Sequence, residues 1–130
     1  MKNSKTRPTD SELEVLTELW DKGPLTVRQV NEELSMKKGA VGYTTTLKIM
    51  QIMIGKGLLG RDDTKRTHVY FPLVKEKDTR NVLIKKFLDA AFEGSAKKLM
   101  MQLLGNQHTS KKELEEIKNY IKEIEGGKND

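Results

Sequence analysis

The stretch TVRQVNEELSMKKGAVGYTTTLKIMQIMIGKG, residues 26–57, decides the fold. Thr26 and Gln29 are spaced as a capping box, in which two side chains satisfy the backbone amides at the start of a helix. This spacing predicts a short helix that ends near Ser35 and has an apolar face formed by Val27, Val30 and Leu34. The next residues, 37–42, are small or basic and lack helical periodicity, which predicts a turn that contains Lys37 and Lys38.

A second helix is predicted directly after this turn, from about Tyr43 to Gly57. Gly57 is well placed as a left-handed helix cap. The apolar positions repeat every three or four residues and form one face: Leu47, Met50, Ile54 and Leu58, with Ile49 and Met53 beside it. Two short helices joined by a turn predict a helix-turn-helix.

The residues on either side of this motif complete a winged helix. A capping box at Thr9 and Glu12 predicts a first helix over residues 10–22. After the motif, residues 58–61 and 68–72 have the composition of two strands joined by a polar turn. Three helices followed by a hairpin define the winged form of the helix-turn-helix.

Beyond Pro72 the pattern is helical again, over residues 78–93, 95–104 and 110–125. The first of these helices is expected to turn inward Val82, Leu83, Lys86, Phe87, Ala90 and Ala91. Three short helices supply little core, so a second copy of the chain is expected to complete it. The residues predicted for this dimer contact are Phe87, Leu103, Leu114, Ile117, Ile121 and Ile124.

The expected fold is therefore mainly α with a small β-hairpin. It consists of an N-terminal winged helix-turn-helix domain that binds DNA, residues 1–74, and a C-terminal helical dimerisation domain, residues 75–130.

Composition excludes several classes of protein. The 130 residues include no cysteine, which excludes disulfides and thiolate metal sites. His68 and His108 are far apart, so no metal site and no cofactor are predicted. The sequence has no glycine-rich phosphate loop and no histidine beside a nucleophile, so neither an enzyme nor a small-molecule substrate is expected. The lack of a long apolar run or a signal-peptide pattern predicts a cytoplasmic protein.

The formal charge of +5 is unevenly distributed. Residues 36–61 contain no acidic side chain, and their basic side chains are Lys37, Lys38, Lys48, Lys56 and Arg61. Positive charge concentrated on one motif is typical of nucleic-acid binding, so double-stranded operator DNA is the expected partner.

The second helix of a helix-turn-helix places its first side chains at base edges in the major groove. Threonine is unfavourable inside helices, so three in succession predict caps, phosphate contacts or thymine-methyl contacts. A lysine or glutamine one turn later suits guanine or adenine, although a merely solvated role fits equally. The basic wing tip suits phosphates or the minor groove, or is an ordinary turn. The residues predicted to contact DNA are Arg28, Lys38, Tyr43, Thr44, Thr45, Thr46, Lys48, Gln51, Lys65 and Arg66.

A second function remains open from the residues alone. The winged helix also serves in protein-interaction adaptors that do not bind specific DNA, because the fold does not dictate its function. The acid-free second helix of the motif favours DNA binding over this alternative.

With these residues in place, the chain resembles the penicillinase repressor and methicillin-resistance repressor family, which also includes copper-responsive repressors. The similar segments span nearly the whole chain and are SELEVLTELW at 11–20, YTTTLK at 43–48, KGL at 56–58 and HVYFP at 68–72. The resemblance implies a transcriptional repressor that binds a palindromic operator as a homodimer held together by its C-terminal helices.

The resemblance also implies a means of release. In similar repressors of antibiotic-resistance genes, a membrane sensor protease triggers cleavage between an asparagine and a phenylalanine in the C-terminal region. The matching pair here is Gln102 and Leu103, which differs from that pattern. Copper-responsive members carry paired cysteines, so the absence of cysteine excludes copper sensing by thiolates.

Overall fold

The computed structural model of this protein describes residues 7–106 and 109–128. Within them lie six helices and a two-stranded antiparallel hairpin, so the predicted fold class is confirmed. In chain order the elements are α1 (Asp10–Lys22), α2 (Val27–Lys38), α3 (Tyr43–Lys56), β1 (Leu59–Asp62), β2 (Val69–Pro72), α4 (Glu76–Ala91), α5 (Ala96–Gly105) and α6 (Lys111–Lys128).

Helix α1 has the bounds that the sequence predicts. The Thr9 hydroxyl accepts a hydrogen bond from the backbone N–H of Glu12 at 3.2 Å, and Glu12 Oε1 accepts one from the Thr9 N–H at 2.9 Å. The helix ends at Gly23, whose φ of +84° favours glycine. One face of α1 enters the core through Val15, Leu16 and Leu19.

Helix α2 begins as predicted but continues to Lys38, so the predicted end near Ser35 is wrong. Lys37 and Lys38 therefore lie in the last turn of the helix and not in the following turn. The sequence pattern was misleading because apolar periodicity stops at Leu34, whereas the backbone continues to Gly39, where a φ of +87° ends the helix.

Helix α3 follows after a four-residue connection and ends at Gly57, which has the left-handed conformation predicted for it. Its start has no side-chain cap, because Gly42 occupies the cap position. The most buried side chains of α3 are Thr46, Met50 and Met53. The predicted apolar face is therefore rotated slightly: Met50 and Met53 are fully buried, whereas Leu47 and Ile54 are only partly buried.

Strands β1 and β2 form the wing, and Leu59 pairs with Pro72 and Asp62 with Val69. Leu25, just before α2, forms a further antiparallel bridge with Tyr70. Its N–H donates to the Tyr70 carbonyl at 3.1 Å, and its carbonyl accepts from the Tyr70 N–H at 2.8 Å. This bridge fixes the start of α2 against the wing.

The core of the winged helix is a single apolar cluster. Trp20 packs at its edge, and its indole N–H donates to the carbonyl of Val74 at 3.1 Å. Burial of these side chains supplies the main favourable free energy of folding. The buried residues of this cluster are Val15, Leu16, Leu19, Val27, Val30, Leu34, Met50, Met53, Leu58, Leu59 and Tyr70.

The three C-terminal helices begin and end within a few residues of their predicted bounds. Ser95 caps α5 through a bond from the Lys98 N–H at 3.0 Å. Ser110 and Glu113 form the capping box of α6, with N–H to oxygen distances of 3.1 and 3.3 Å. The predicted inward face of α4 is wrong for a single chain, because most of it is exposed: Val82, Lys86, Phe87, Ala90 and Ala91.

The chain divides into two compact units, of which the first ends at Ile84 and the second begins at Lys85. The predicted domain boundary after residue 74 stays a prediction. The first unit extends beyond residue 74 because the first turns of α4 belong to it, with Thr79 buried. None of the helices in the described part of the chain is long and apolar enough to cross a membrane.

Candidate nucleic-acid interface

The outer face of α3 combines polar, basic and apolar side chains. Thr44, Thr45, Lys48 and Gln51 are exposed on it. Lys48 follows the two threonines by four and three residues, and Gln51 follows Lys48 by three. Ile52 lies on the same face with 47 % of its surface exposed. Ile52 is not among the residues predicted to contact DNA, although its spacing of four residues from Lys48 is sufficient to place it on this face.

Thr46 does not belong to this face, which corrects its predicted contact with DNA. Its side chain is fully buried, with 0 % exposure. The hydroxyl accepts a hydrogen bond from Asn31 Nδ2 at 2.9 Å, and the same nitrogen donates to the Val41 carbonyl at 2.8 Å. Thr46 therefore stabilises the packing of α3 on α2.

Ser35 holds the turn between α2 and α3 in place. Its hydroxyl accepts a hydrogen bond from the Val41 N–H at 3.1 Å. Together with Asn31, which bonds the Val41 carbonyl, Ser35 satisfies both backbone groups of a residue in the turn. The start of α3 is thus fixed by side chains of α2.

Three lysines of the basic motif are neutralised by carboxylates of α1. Lys38 Nζ lies 2.9 Å from Glu14 Oε1, and Lys56 Nζ lies 2.8 Å from Glu12 Oε1. Lys37 Nζ lies 2.5 Å from Oε2 of Glu18, a carboxylate only 2 % exposed. The sequence did not reveal these pairs because the acids lie more than fifteen residues away along the chain.

The ion pair with Glu18 also makes Lys37 harder to deprotonate. The hydrogen bond to the Glu18 carboxylate, with the attraction of the same charge, raises the pKa of Lys37 above its ordinary value. Lys22 approaches the second oxygen of Glu18 at 3.6 Å and Glu33 at 3.5 Å. These charges join the ends of α1 and α2.

Other basic side chains near α3 and the wing carry charge without such partners. Within residues 7–106 and 109–128, no carboxylate lies within 4.0 Å of these side chains. They are Arg28, Lys48, Lys65 and Arg66, all of them predicted to contact DNA. A cation without a carboxylate partner gives up no ion pair when it meets a phosphate, so these four are the better candidates for DNA contact.

Arg28 and Tyr43 bring the starts of α2 and α3 together. The guanidinium carbon of Arg28 lies 5.5 Å from the centre of the Tyr43 ring. A guanidinium stacked on a ring keeps the N–H donors at its edge available. Both residues line a cavity of about 370 Å³ whose other wall is the end of the wing turn, including Arg66 and His68.

The wing turn is folded around its acidic residues. Asp62 accepts hydrogen bonds from the N–H of Thr64 at 3.0 Å and its hydroxyl at 2.7 Å, which lowers the pKa of Asp62. The side chain of Tyr70 and the carboxylate of Asp63 raise the pKa of Arg61. Lys65 and Arg66 follow at the exposed tip, and their contact with DNA stays a prediction.

In the second unit, several residues predicted for the dimer contact are exposed. Phe87 is 53 % exposed although its ring packs 5.7 Å from that of Phe92. Ile121 and Ile124 are also exposed, whereas Leu114 and Ile117 are half-buried. Dimerisation itself stays a prediction.

The predicted cleavage pair lies inside α5, where Gln102 and Leu103 are both exposed. His68 is half-buried in the wing, and His108 lies outside the described residues. The described part of the chain contains no group of three metal-ligating side chains.

Several curated repressors are similar to this chain over most of its length. The penicillinase repressor of Bacillus licheniformis is 28 % identical over 116 residues, which cover 88 % of this chain and 89 % of that protein. The methicillin resistance regulatory protein MecI of Staphylococcus aureus is 25 % identical over a match that covers 93 % of this chain and 98 % of that protein. The transcriptional regulator BlaI of Mycobacterium tuberculosis is 27 % identical over a match that covers 94 % of this chain and 88 % of that protein.

Two solved structures share the fold. The hsRosR-S4 complex structure has a TM-score of 0.57 at 16 % identity and covers 83 % of this chain and 96 % of its own. The transcriptional regulator Tm0710 of Thermotoga maritima has a TM-score of 0.53 at 18 % identity, and the match covers 97 % of this chain and 84 % of the Tm0710 chain. Both are winged-helix proteins, which confirms the fold predicted from the sequence.

Residues 8–123 match the family described as Penicillinase repressor. The match confirms the resemblance carried by the segments around α1, α3 and β2. This chain therefore belongs to the penicillinase repressor family, whose members are transcriptional repressors and not enzymes.

Proposed function

We propose that this chain is a cytoplasmic transcriptional repressor that binds a palindromic operator as a homodimer. The outer face of α3 carries the proposal, because it combines hydroxyls, an amide and the cation of Lys48 on one exposed helix surface. An α-helix of this kind fits the major groove of DNA.

In this arrangement α3 reads bases. Lys48 reaches the acceptors of guanine or a phosphate, and Gln51 pairs with adenine. Thr45 and Ile52 present methyl groups suited to the methyl group of thymine. Thr44, at the start of the helix, donates its hydroxyl to a phosphate.

The surrounding basic residues fix the position of the protein on the duplex. Arg28 and Tyr43 lie beside the start of α3, while Lys65 and Arg66 extend from the wing. Contacts of this kind go to phosphates and carry no sequence information directly. Lys38 is a weaker phosphate ligand because Glu14 already pairs with it.

The C-terminal helices would join two copies of the chain. Phe87, Leu103, Ile121 and Ile124 expose large apolar surfaces that a single chain leaves in water. Burying such surface against a second copy is favourable, and most soluble homo-oligomers are symmetric dimers. A symmetric dimer presents two α3 helices to two half-sites, which accounts for a palindromic operator.

Release of the operator would follow cleavage in α5. The relatives are named for penicillinase and methicillin resistance, so the regulated genes would be antibiotic-resistance genes or genes of the protease that relieves repression. A membrane sensor protease would trigger a cut between Gln102 and Leu103. Because both residues lie in a helix, α5 must unwind locally before a protease can bind the chain in extended form.

The direct test is a hydroxyl-radical footprint of the purified full-length protein on DNA upstream of its own gene. The expected result is protection of two inverted half-sites separated by about ten base pairs or a multiple of that distance. Protection that is absent or spread evenly along the DNA would contradict the proposal and favour a winged-helix adaptor. Thr45→Ala should remove the footprint while leaving the melting temperature unchanged.

Cleavage is tested separately with the cognate sensor protease and the Gln102→Glu variant, which keeps a good helix former in α5 and whose melting temperature is first compared with that of the wild-type chain. Mass spectrometry should show fragments ending at Gln102 in the wild-type chain alone. An intact wild-type chain would contradict the release step and leave operator binding unaffected.

A further inference from the structure

Another cavity of the first unit lies where the chain leaves the wing and enters α4. Its volume is about 300 Å³, which is at the lower end of the range for sites that bind small ligands. The residues that line it come from the segment before α1, the connection after β2 and the first two turns of α4. Among the residues that the structure describes, none of α3 or of the wing turn lines it, so it is separate from the candidate nucleic-acid interface.

Part of this cavity is an apolar wall formed by Leu73, Val74 and Val82. Leu73 is 59 % exposed and Val82 36 % exposed, so both leave apolar surface in water. The Val74 carbonyl accepts the hydrogen bond from the Trp20 indole N–H at 3.1 Å, which ties the apolar wall to the core. A ligand that covers this wall gains free energy by removing apolar surface from water.

The same cavity contains charged side chains without ion-pair partners. Arg7 is half-buried and Lys75 is exposed, and neither lies within 4.0 Å of a carboxylate in residues 7–106 and 109–128. Asp78 also lines the cavity, so two cations and one carboxylate leave one net positive charge. A half-buried arginine loses part of its hydration, and an anionic ligand would compensate for that loss.

Thr79 adds a buried hydroxyl that the protein itself does not use. The residue is only 8 % exposed, and its hydroxyl makes no hydrogen bond within the described part of the chain. In that part, only Oε1 of Glu18 is both fully buried and without a partner, so the Thr79 oxygen is open to the cavity that it lines. A hydroxyl in this position can donate to an oxygen of a ligand.

We propose that this cavity binds a small carboxylate with an apolar body, about the size of a phenylpropionate ion. The carboxylate lies between the Arg7 guanidinium, whose paired N–H donors suit two oxygens, and the Thr79 hydroxyl. The apolar body covers the apolar wall. One negative charge matches the one net positive charge of the cavity. The ligand is bound and not converted, and the site goes beyond the proposed function because it does not involve DNA.

The experiment is a titration of the full-length protein with phenylpropionate. Binding is followed by the fluorescence of Trp20, the one tryptophan of the chain. Because the Trp20 indole bonds Val74 in the apolar wall, a ligand there should change its emission. The expected dissociation constant is on the order of 1 mM, as befits so small a ligand. Saturation should also raise the melting temperature, because the ligand binds only the folded chain.

Two analogues test the chemical class of the ligand. Phenylpropylamine keeps the apolar body and reverses the charge, whereas propionate keeps the carboxylate and lacks the ring. Each should bind about tenfold more weakly than phenylpropionate. Equal affinity for the amine and the carboxylate would contradict the proposal, because it would show an apolar surface that does not select charge.

Four variants test the contacts. Arg7→Gln removes the cation, and Thr79→Val replaces the hydroxyl by a methyl group of similar shape; each should weaken phenylpropionate binding about fivefold. Asp78→Asn removes the opposing charge and should strengthen binding about twofold. Lys112→Gln removes an exposed cation of α6 and should bind as the wild-type chain does. Melting temperatures without ligand check that each variant folds.

Several outcomes would overturn this site without affecting the operator footprint. Wild-type affinity in both Arg7→Gln and Thr79→Val would do so, as would weaker binding by Asp78→Asn, which would indicate a ligand that carries a cation. A wild-type chain that does not bind phenylpropionate would also overturn it. In that case, Trp20 emission that changes with protein concentration alone would indicate that a second copy of the chain covers the apolar wall.

Discussion

Asn31 donates from Nδ2 to the hydroxyl of Thr46 at 2.9 Å, and this bond joins α2 to the buried side of α3. The same amide bonds the carbonyl of Val41 in the turn between the two helices at 2.8 Å. One side chain thus fixes both the turn and the helix that follows it. The exposed face of α3 is held in position by contacts on its opposite side.

Thr46→Val replaces the hydroxyl by a methyl group of similar shape. One donor of Asn31 then loses its partner, which should lower the free energy of unfolding by about 1–2 kcal/mol. Operator affinity should fall roughly tenfold because α3 is held less firmly. Urea unfolding and anisotropy titration measure the two effects.

Thr46→Ser is the matched control, since it keeps the hydroxyl and loses only a methyl group. It should retain operator affinity better than Thr46→Val even though it creates a small cavity. If both variants bind the operator as the wild-type chain does, the Asn31 contact does not position α3.

Paired and unpaired lysines should differ in their contribution to DNA binding. Lys48 has no carboxylate partner in the described part of the chain, and Lys48→Ala should reduce the slope of log affinity against log salt by about 0.9. Lys38→Ala should leave that slope unchanged, because Glu14 already neutralises this lysine at 2.9 Å. The measurement is a salt titration of both variants on the promoter duplex. A reduced slope in Lys38→Ala would contradict this expectation and support the phosphate contact that the sequence predicts for Lys38.

The pair between Glu18 and Lys37 should give stability a dependence on alkaline pH. The carboxylate raises the pKa of Lys37 above 10.5, its ordinary value, so the folded state favours the charged lysine. The stabilisation is fully present below pH 10.5 and is lost as the pH rises through the pKa of the folded state. Lys37→Met should therefore melt below the wild-type chain at neutral pH and approach it in strong alkali. A difference that persists unchanged at all pH values would indicate packing instead of charge.

Gly60 in β1 lies against the far end of an aromatic ring. A Cβ atom at this position would lie 2.7 Å from ring atoms of Phe71. Gly60→Ala should therefore displace the ring and lower the free energy of unfolding by about 1–2 kcal/mol. Gly55→Ala is the control, because a Cβ there meets nothing within 4 Å and alanine favours the helix. Equal stability of the two variants in urea would contradict this account of the wing.

The starts of the helices could be predicted because their signals are local. The capping boxes at Thr9, Thr26 and Ser110 each need only residues three positions apart, and each forms the predicted hydrogen bonds. The same holds for the left-handed cap at Gly57. Winged-helix topology followed from the order of these elements.

The roles of single side chains depended on contacts that a local pattern cannot contain. Thr46 was grouped with Thr44 and Thr45 because the three are adjacent, yet one position is a rotation of about 100° around a helix. The sequence predicts a phosphate contact for Lys38 because its partner Glu14 lies 24 residues away along the chain. Ile52 was overlooked because an apolar residue in an amphipathic helix is usually assigned to the core.

The most direct test of the central claim is a titration of the promoter duplex and a scrambled duplex with the purified protein at several salt concentrations. The account predicts tight binding to the promoter that saturates at two chains per site and weakens by about a thousandfold or more from low to moderate salt. Equal, weak binding to both duplexes with a flat salt response would contradict it.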